Sequence, residues 1–244
     1  MPSDFDRLVS ALRGAMRVSV LTGAGMSAES GIATFRGPGG LWEGHPVEEV
    51  ATPEAFSADP RKVWRFYEER RRAVKEAAPN PGHEALVALE ERISAFHVAT
   101  QNVDGLHRRA GSRNLVELHG CVERRYCVVC RRTEEDLEPI EVLPPLCPAC
   151  GGMMRPDIVW FGEPLSVEGW EDARQAAREA EVYLVVGTSS QVYPAAGLAL
   201  VAADAGADVF EINPEETSLS PMFTGAIREP SGQALPRVVA ALFG

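Results

Sequence analysis

Four of the five cysteines stand in two pairs, Cys127-Val128-Val129-Cys130 and Cys147-Pro148-Ala149-Cys150, with 16 residues between them. Two such knuckles suit a tetrahedral zinc ion. Redox CxxC sites or buried free thiols are the rival readings. Both pairs, however, lie in one proline-rich stretch that is poor in core residues and needs a staple. Four protein thiolates leave no coordination position for water or substrate, so the ion's role is structural. Cys121 lies outside both knuckles and reads as a small packing residue.

A second chemistry-bearing segment is Gly23-Ala24-Gly25-Met26-Ser27-Ala28-Glu29-Ser30-Gly31, directly after the apolar run VSVLT. Small side chains there let backbone N–H groups approach phosphate oxygens, and a following helix adds its dipole. The last glycine of G-x-G-x-x-G is displaced, so a structural turn is equally compatible. Thr34-Phe35-Arg36-Gly37 follows with an aromatic and a cation that a plain turn does not need. Gln101, Asn102 and Asp104 follow FHVAT, and His119 follows LVEL, both at strand ends where an α/β sheet presents ligand-binding groups. A helix cap and a core or turn histidine remain open for them. Tyr67 and Arg70 lie three residues apart, hence on one helix face, where a phenol and a guanidinium can clamp a carboxylate. Arg71 and Arg72 read as part of a solvated basic face.

The elements that must position these groups are legible in outline. Strands are expected at 18–22, 96–100, 115–118, 157–161, 182–186 and 208–212, alternating with helices at 4–15, 84–94, 168–180, 195–206 and 235–243. This predicts an α/β fold: a Rossmann-like, doubly wound parallel sheet. Residues 1–37, 83–119 and 157–244 would form it. A helical module at 38–82 and a zinc-binding module at 120–156 would form a smaller lobe. The 244 residues are 45% hydrophobic and 24% charged, which excludes a disordered or collagen-like chain. A net charge of −11 argues against nucleic acid as a partner. No apolar run reaches membrane-spanning length and the N-terminal segment lacks signal-peptide order, so a cytoplasmic protein is expected.

The blocks GAGMSAESGIATFRG, TQNVDGLHRRAG, ELHG, the paired CxxC knuckles, RPDIVWFGE, GTSSQVYPAAGL and EINPE occur in the order of the sirtuins, and the chain resembles that family from about Val18 to Pro236. The resemblance implies an NAD-dependent protein-lysine deacylase that passes the acyl group to ADP-ribose and releases nicotinamide, with one structural zinc. NAD and acylated protein lysines would be its partners, and a monomer is expected. It assigns the general base to His119, and the ribose and carboxamide to Asn102 and Asp104. Gln101, Phe35 and Arg36 would flank the reacting ribose and phosphates. Gly23 and Ala24 would face the pyrophosphate. Gly187, Thr188, Ser189 and Asn213 would lie along the adenosine, with Ser231 closing the adenine pocket. Val159, Trp160, Phe161, Gly162 and Glu163 match the segment that lays the substrate peptide between the lobes as an added strand. Tyr67 and Arg70 look like the acyl-pocket pair of the class that removes succinyl and malonyl groups. Rival readings are a protein mono-ADP-ribosyltransferase and a noncatalytic NAD-binding module; a hydride-transferring dehydrogenase is disfavoured by the incomplete glycine fingerprint.

Overall fold

The computed structural model describes residues 2–33, the backbone of 41–42 and residues 45–244. Helix α1 (Asp4–Gly14) starts on a capping box, in which the Ser3 hydroxyl accepts the Asp6 N–H and the Asp6 carboxylate accepts the Ser3 N–H. Strand β1 (Arg17–Thr22) then runs into a short 3-10 helix, Ala24–Ser30. A two-residue pair, β2 (Leu41–Trp42) and β3 (His45–Pro46), precedes α2 (Val47–Val50), α3 (Pro53–Ala58) and the long α4 (Pro60–Glu76). Asp59 caps α4 by accepting the Lys62 N–H, and Pro60 fits its first turn, where an N–H would have no partner. The chain continues through α5 (Pro81–Glu90), β4 (Ala95–Thr100), α6 (Leu106–Ala110), β5 (Leu115–Glu117), β6 (Gly120–Cys127), β7 (Thr133–Glu135) and β8 (Met154–Ile158). It ends with α7 (Val167–Glu179), β9 (Val182–Val186), α8 (Gly197–Asp204), β10 (Asp208–Ile212), β11 (Gly225–Ile227) and α9 (Ser231–Phe243).

Among the described residues the main sheet has the order β11-β10-β9-β1-β4-β5, and every pairing in it is parallel. Helices cover both faces, which is why its strands are apolar runs without alternation. One face packs Val20, Val98 and Leu184 against Leu8, Leu86 and Leu235 of α1, α5 and α9. The other packs Leu21, Ala99 and Tyr183 against Ala173, Ala177 and Leu198 of α7 and α8. The chain winds outward from β1 in both directions, so the order reverses between β1 and β9, and ligands of such sheets sit at the carboxyl ends of the strands there.

The stretch 157–161 does not join this sheet as expected. Its first residues close β8, which pairs antiparallel with β6 in a three-stranded sheet of order β7-β6-β8. An apolar run reports burial and not the identity of its neighbours. The sixth strand of the main sheet is instead β11, only three residues long and without a detectable period. Helix α9 begins four residues before the expected 235. The helix opens at Ser231 and carries Pro236 inside it, where the missing N–H forgoes one intrahelical bond. A separate core holds Trp64, Phe66, Tyr67, Val122, Met154 and Trp160, and so joins α4 to the β6–β8 sheet.

Candidate active site

The two glycine segments meet at the sheet's switch point. The Gly23 N–H donates to the Val186 carbonyl at 3.0 Å and the Gly25 N–H to the Gly187 carbonyl at 2.7 Å. Gly187 has φ of +58°, and a Cβ there would fall 2.3 Å from the Met26 nitrogen. A side chain on Gly23 would collide with Thr188 at 2.7 Å. Close approach of two backbones therefore requires glycine at both places. A cleft of about 430 Å³ opens above them.

Its polar wall comes from the ends of β4 and β5. Gln101 spans the switch point by donating from Nε2 to the Thr188 hydroxyl at 2.9 Å, and Asn213 donates to the Thr188 carbonyl at 2.8 Å. Asn102 is buried and donates from Nδ2 to the Ser27 hydroxyl at 3.1 Å, while its own N–H donates to the Thr100 hydroxyl at 3.0 Å. Asp104 accepts the Leu106 N–H at 2.9 Å, and burial raises its carboxyl above the usual range despite a hydrogen bond with Ser27. His119 Nδ1 lies 3.0 Å from the Gln101 carbonyl oxygen. A carbonyl only accepts, so Nδ1 carries the proton and Nε2 keeps its lone pair for the cleft. Burial lowers the imidazole's pKa, partly offset by that hydrogen bond, and the neutral form is the one present at neutral pH.

The opposite wall is α4 and the segment after β8. Tyr67 and Arg70 are both buried and both line the cleft with His119. The Tyr67 oxygen accepts the Trp160 indole N–H at 2.9 Å, and the Arg70 guanidinium lies 3.2 Å over the Phe66 ring while donating to the Phe66 carbonyl. Val159, Phe161, Gly162 and Glu163 line the same cleft, with Phe161 46% exposed at its mouth. Glu163 is a bidentate partner of Arg155, at 2.7 and 2.9 Å, so its carboxylate braces this turn. Arg71 is not part of a solvated face: it is 2% exposed and donates to Glu68, Asp136 and the carbonyls of Val122 and Glu138. The apolar environment of α4 left only Arg72 of that pair exposed.

In the zinc-type module, Cys127 Sγ lies 3.5 Å from Cys150 Sγ and Cys130 Sγ 3.6 Å from Cys147 Sγ, and all four sulfurs lie within 4.8 Å of one another. That is too far for disulfides and close to the separation of about 3.8 Å set by Zn–S bonds in a tetrahedron. The N–H groups of Cys130 and Val129 donate to Cys127 Sγ and pull this thiol down to about 6, which favours the thiolate. The cluster fits a structural zinc ion. Cys121 is fully buried in β6, where burial pushes its thiol up to about 12.

The cleft thus gathers Gly23, Ala24, Gln101, Asn102, Asp104, His119, Gly187, Thr188, Ser189 and Asn213 with the residues of the α4 wall. Ser231 is not brought to it. Its buried hydroxyl, at the first residue of α9, has no hydrogen-bond partner among the described residues. Phe35 and Arg36 lie outside the described residues. Ser27, inside the glycine-rich segment, ties Asn102 to Asp104, a role that its place among small residues does not signal. Glu215, Glu216 and Thr217 also line the cleft, in a loop whose sequence carries no periodic signal.

Fold and site together define an α/β dinucleotide-type protein with a poised histidine and a cysteine-knuckle module. The chain belongs to the Sir2 family: the model described as "Sir2 family" matches residues 23–194. It is 53% identical over 220 residues to NAD-dependent protein deacylase 2 of Pyrobaculum aerophilum, covering 90% of this chain and 88% of the relative. Among solved structures, it is similar to a Sir2 homologue–NAD complex at TM-score 0.92 and 41% identity, covering 97% of this chain and 93% of the other. A Sir2 histidine-to-alanine variant with deacetylated p53 peptide and 3′-O-acetyl ADP-ribose matches at TM-score 0.89 and 34% identity, covering 97% of both chains.

Proposed function

We propose that this protein is an NAD-dependent protein-lysine deacylase that removes acyl groups ending in a carboxylate, succinyl or malonyl, as well as acetyl. The name of the Pyrobaculum relative and the NAD and acetyl-ADP-ribose complexes of the similar structures support the reaction class. The observation that carries the acyl preference is that Tyr67 and Arg70 open onto the same cleft as the His119 imidazole.

When bound, NAD supplies an activated ribose carbon that takes the acyl oxygen as nicotinamide leaves. The chain's own residues do the rest. The Gln101 carbonyl fixes the imidazole so that Nε2 accepts the proton of a ribose hydroxyl. Asn102, oriented by Ser27 and Thr100, and Asp104 bind the ribose and the carboxamide. The small residues Gly23 and Ala24 admit the pyrophosphate to backbone N–H groups. Residues 159–163 pair with the peptide main chain, and the Tyr67–Arg70 pair receives the distal carboxylate by charge-assisted hydrogen bonds. In this reading 1–37, 83–119 and 157–244 hold NAD, while 38–82 and 120–156 form the lobe that closes over the acyl-lysine.

The test is product analysis and kcat/KM on acetyl, malonyl and succinyl peptides with saturating NAD. Deacylated peptide, nicotinamide and O-acyl-ADP-ribose should appear in equal amounts; ADP-ribose on protein without O-acyl-ADP-ribose would refute the reaction class. Arg70→Met should lower kcat/KM on succinyl and malonyl peptides at least tenfold, because a buried anion losing its partner costs about 2–5 kcal/mol. An equal fall on acetyl peptide would refute the acyl preference.

A further inference from the structure

Asn80 ends the link between α4 and α5 and is 5% exposed. All four hydrogen-bonding positions of its amide are used. The side-chain oxygen accepts the Gly82 N–H at 2.9 Å and the His83 N–H at 3.4 Å, which caps α5. Nδ2 donates to the Met26 carbonyl at 2.8 Å and to the Ser30 hydroxyl at 3.1 Å, both in the 3-10 helix that follows the first glycine turn. A flipped amide would set its oxygen against the Met26 carbonyl and its N–H groups against two N–H donors, so these contacts fix its orientation. Asn80 is itself held. Its backbone N–H donates to His83 Nδ1 at 3.2 Å, and Arg109 fastens the chain just before it by donating to the Val74 carbonyl at 2.7 Å and to the Ala77 carbonyl. Beyond Met26, the Ser27 hydroxyl holds Asn102 and Asp104.

We propose that Asn80 is a positioning residue for the dinucleotide: its two Nδ2–H donors hold the Met26–Ser30 turn so that the backbone N–H groups of the glycine segment face the pyrophosphate and the Ser27 hydroxyl stays set toward Asn102 and Asp104. The proposal rests on the reading that NAD lies on the glycine segment, and it adds the group that keeps this segment in its binding shape before NAD arrives. A seven-residue 3-10 helix has poor hydrogen-bond geometry of its own. The small side chains that admit a phosphate also give it little to pack with, and only Met26 and Ser27 of it are buried. An amide reaching it from the start of a packed helix supplies the missing restraint without taking space in the cleft, which Asn80 does not line.

The experiment measures ADP-ribose binding by calorimetry, the KM values of NAD and of an acetyl-lysine peptide, and backbone amide exchange, for wild type, Asn80→Ser and Asn80→Asp. Both replacements keep a side-chain oxygen for the cap of α5; serine lacks the reach to Met26 and aspartate lacks the N–H groups. Each should weaken ADP-ribose binding and raise the KM of NAD about tenfold, the effect of a buried carbonyl left without its donor, while the KM of the peptide is unchanged. Exchange over residues 24–30 should quicken with that of α5 unaltered. Unchanged ADP-ribose binding in Asn80→Ser would overturn the proposal and leave the NAD reading intact. Quickened exchange confined to α5 would also overturn it, because Asn80 would then serve only as a cap, as would weakening by Asn80→Asp alone, which is repulsion by the new carboxylate. Wild type that binds neither ADP-ribose nor NAD would overturn the NAD reading and the proposal with it. Should Asn80→Ser fail to fold, Ser30→Ala removes one acceptor of the same amide and leaves the cap untouched; it should give a smaller loss of the same sign, and no loss would overturn the proposal.

Discussion

His119 works through a single contact. The Gln101 carbonyl accepts a hydrogen bond from Nδ1–H, and in the proposed mechanism that tautomer leaves Nε2 to act as the base without any acidic partner. Replacing His119 with alanine removes proton transfer but no core contact, so kcat should fall at least about a hundredfold with the melting temperature nearly unchanged, as checked by steady-state assay and calorimetry. The pH dependence follows from burial. In the proposed mechanism activity requires neutral His119, whose pKa is lowered from the ordinary 6.5, so kcat/KM should stay level as pH falls to that value and decline only below it. A profile whose acid limb has its midpoint above 6.5 would contradict the assigned environment.

At the scale of elements, the buried Arg71 side chain helps tie α4 to the cysteine module. Arg71 donates to Glu68 on its own helix, to the Val122 carbonyl in β6, and to Asp136 and the Glu138 carbonyl beyond β7. Glu68 is 3% exposed, so Arg71→Leu leaves a buried carboxylate without its cation, at a cost of about 3–5 kcal/mol. Chemical denaturation should show that loss, and Arg71→Lys should recover only part of it, since an ammonium cannot reach acceptors spread across three segments. Within the module, the metal would tie the two knuckles together. Elemental analysis should find one zinc per chain, and a strong chelator or Cys147→Ser should lower the melting temperature, because the thiolates then lose the ion that joins the two knuckles.

Over the whole molecule, stability should fall in mild acid for a reason seated beneath the glycine segments. His83 and His107 are buried with ring centroids 4.8 Å apart. His83 Nδ1 accepts the Asn80 N–H at 3.2 Å and His107 Nε2 lies 2.9 Å from the Thr22 hydroxyl, and burial pushes the two rings down to about 4 and about 3. In the unfolded chain both titrate near 6.5. Between 6.5 and about 4 the unfolded state therefore binds more protons, and stability, complete above 6.5, is lost as pH falls through that window. The loss is on the order of a few kcal/mol, and a melting temperature that stays flat from pH 7 to about pH 4 would refute it.

Much of this was written along the chain. The period of apolar residues locates the strands and helices because burial on one or both faces is a local demand on side-chain type, and the knuckle spacing names its metal because tetrahedral thiolate geometry is short-range. The glycines at 23 and 187 carry their meaning in the absence of a side chain, although only their mutual approach shows why neither tolerates one. Strand partners were a different matter. Residues 157–161 are apolar enough for either sheet, and only the folded chain assigns the first of them to β6. Likewise Arg70, Arg71 and Arg72 are identical in composition, yet one lines the cleft, one is buried in an ion-pair hub and one faces solvent. Trp160 gave no sign in sequence of its bond to Tyr67, 93 residues away. Sequence determined which side chains are available and the period on which they repeat; tertiary structure decided what each of them faces, because long-range contacts set desolvation and hydrogen-bond direction, and those set the chemistry.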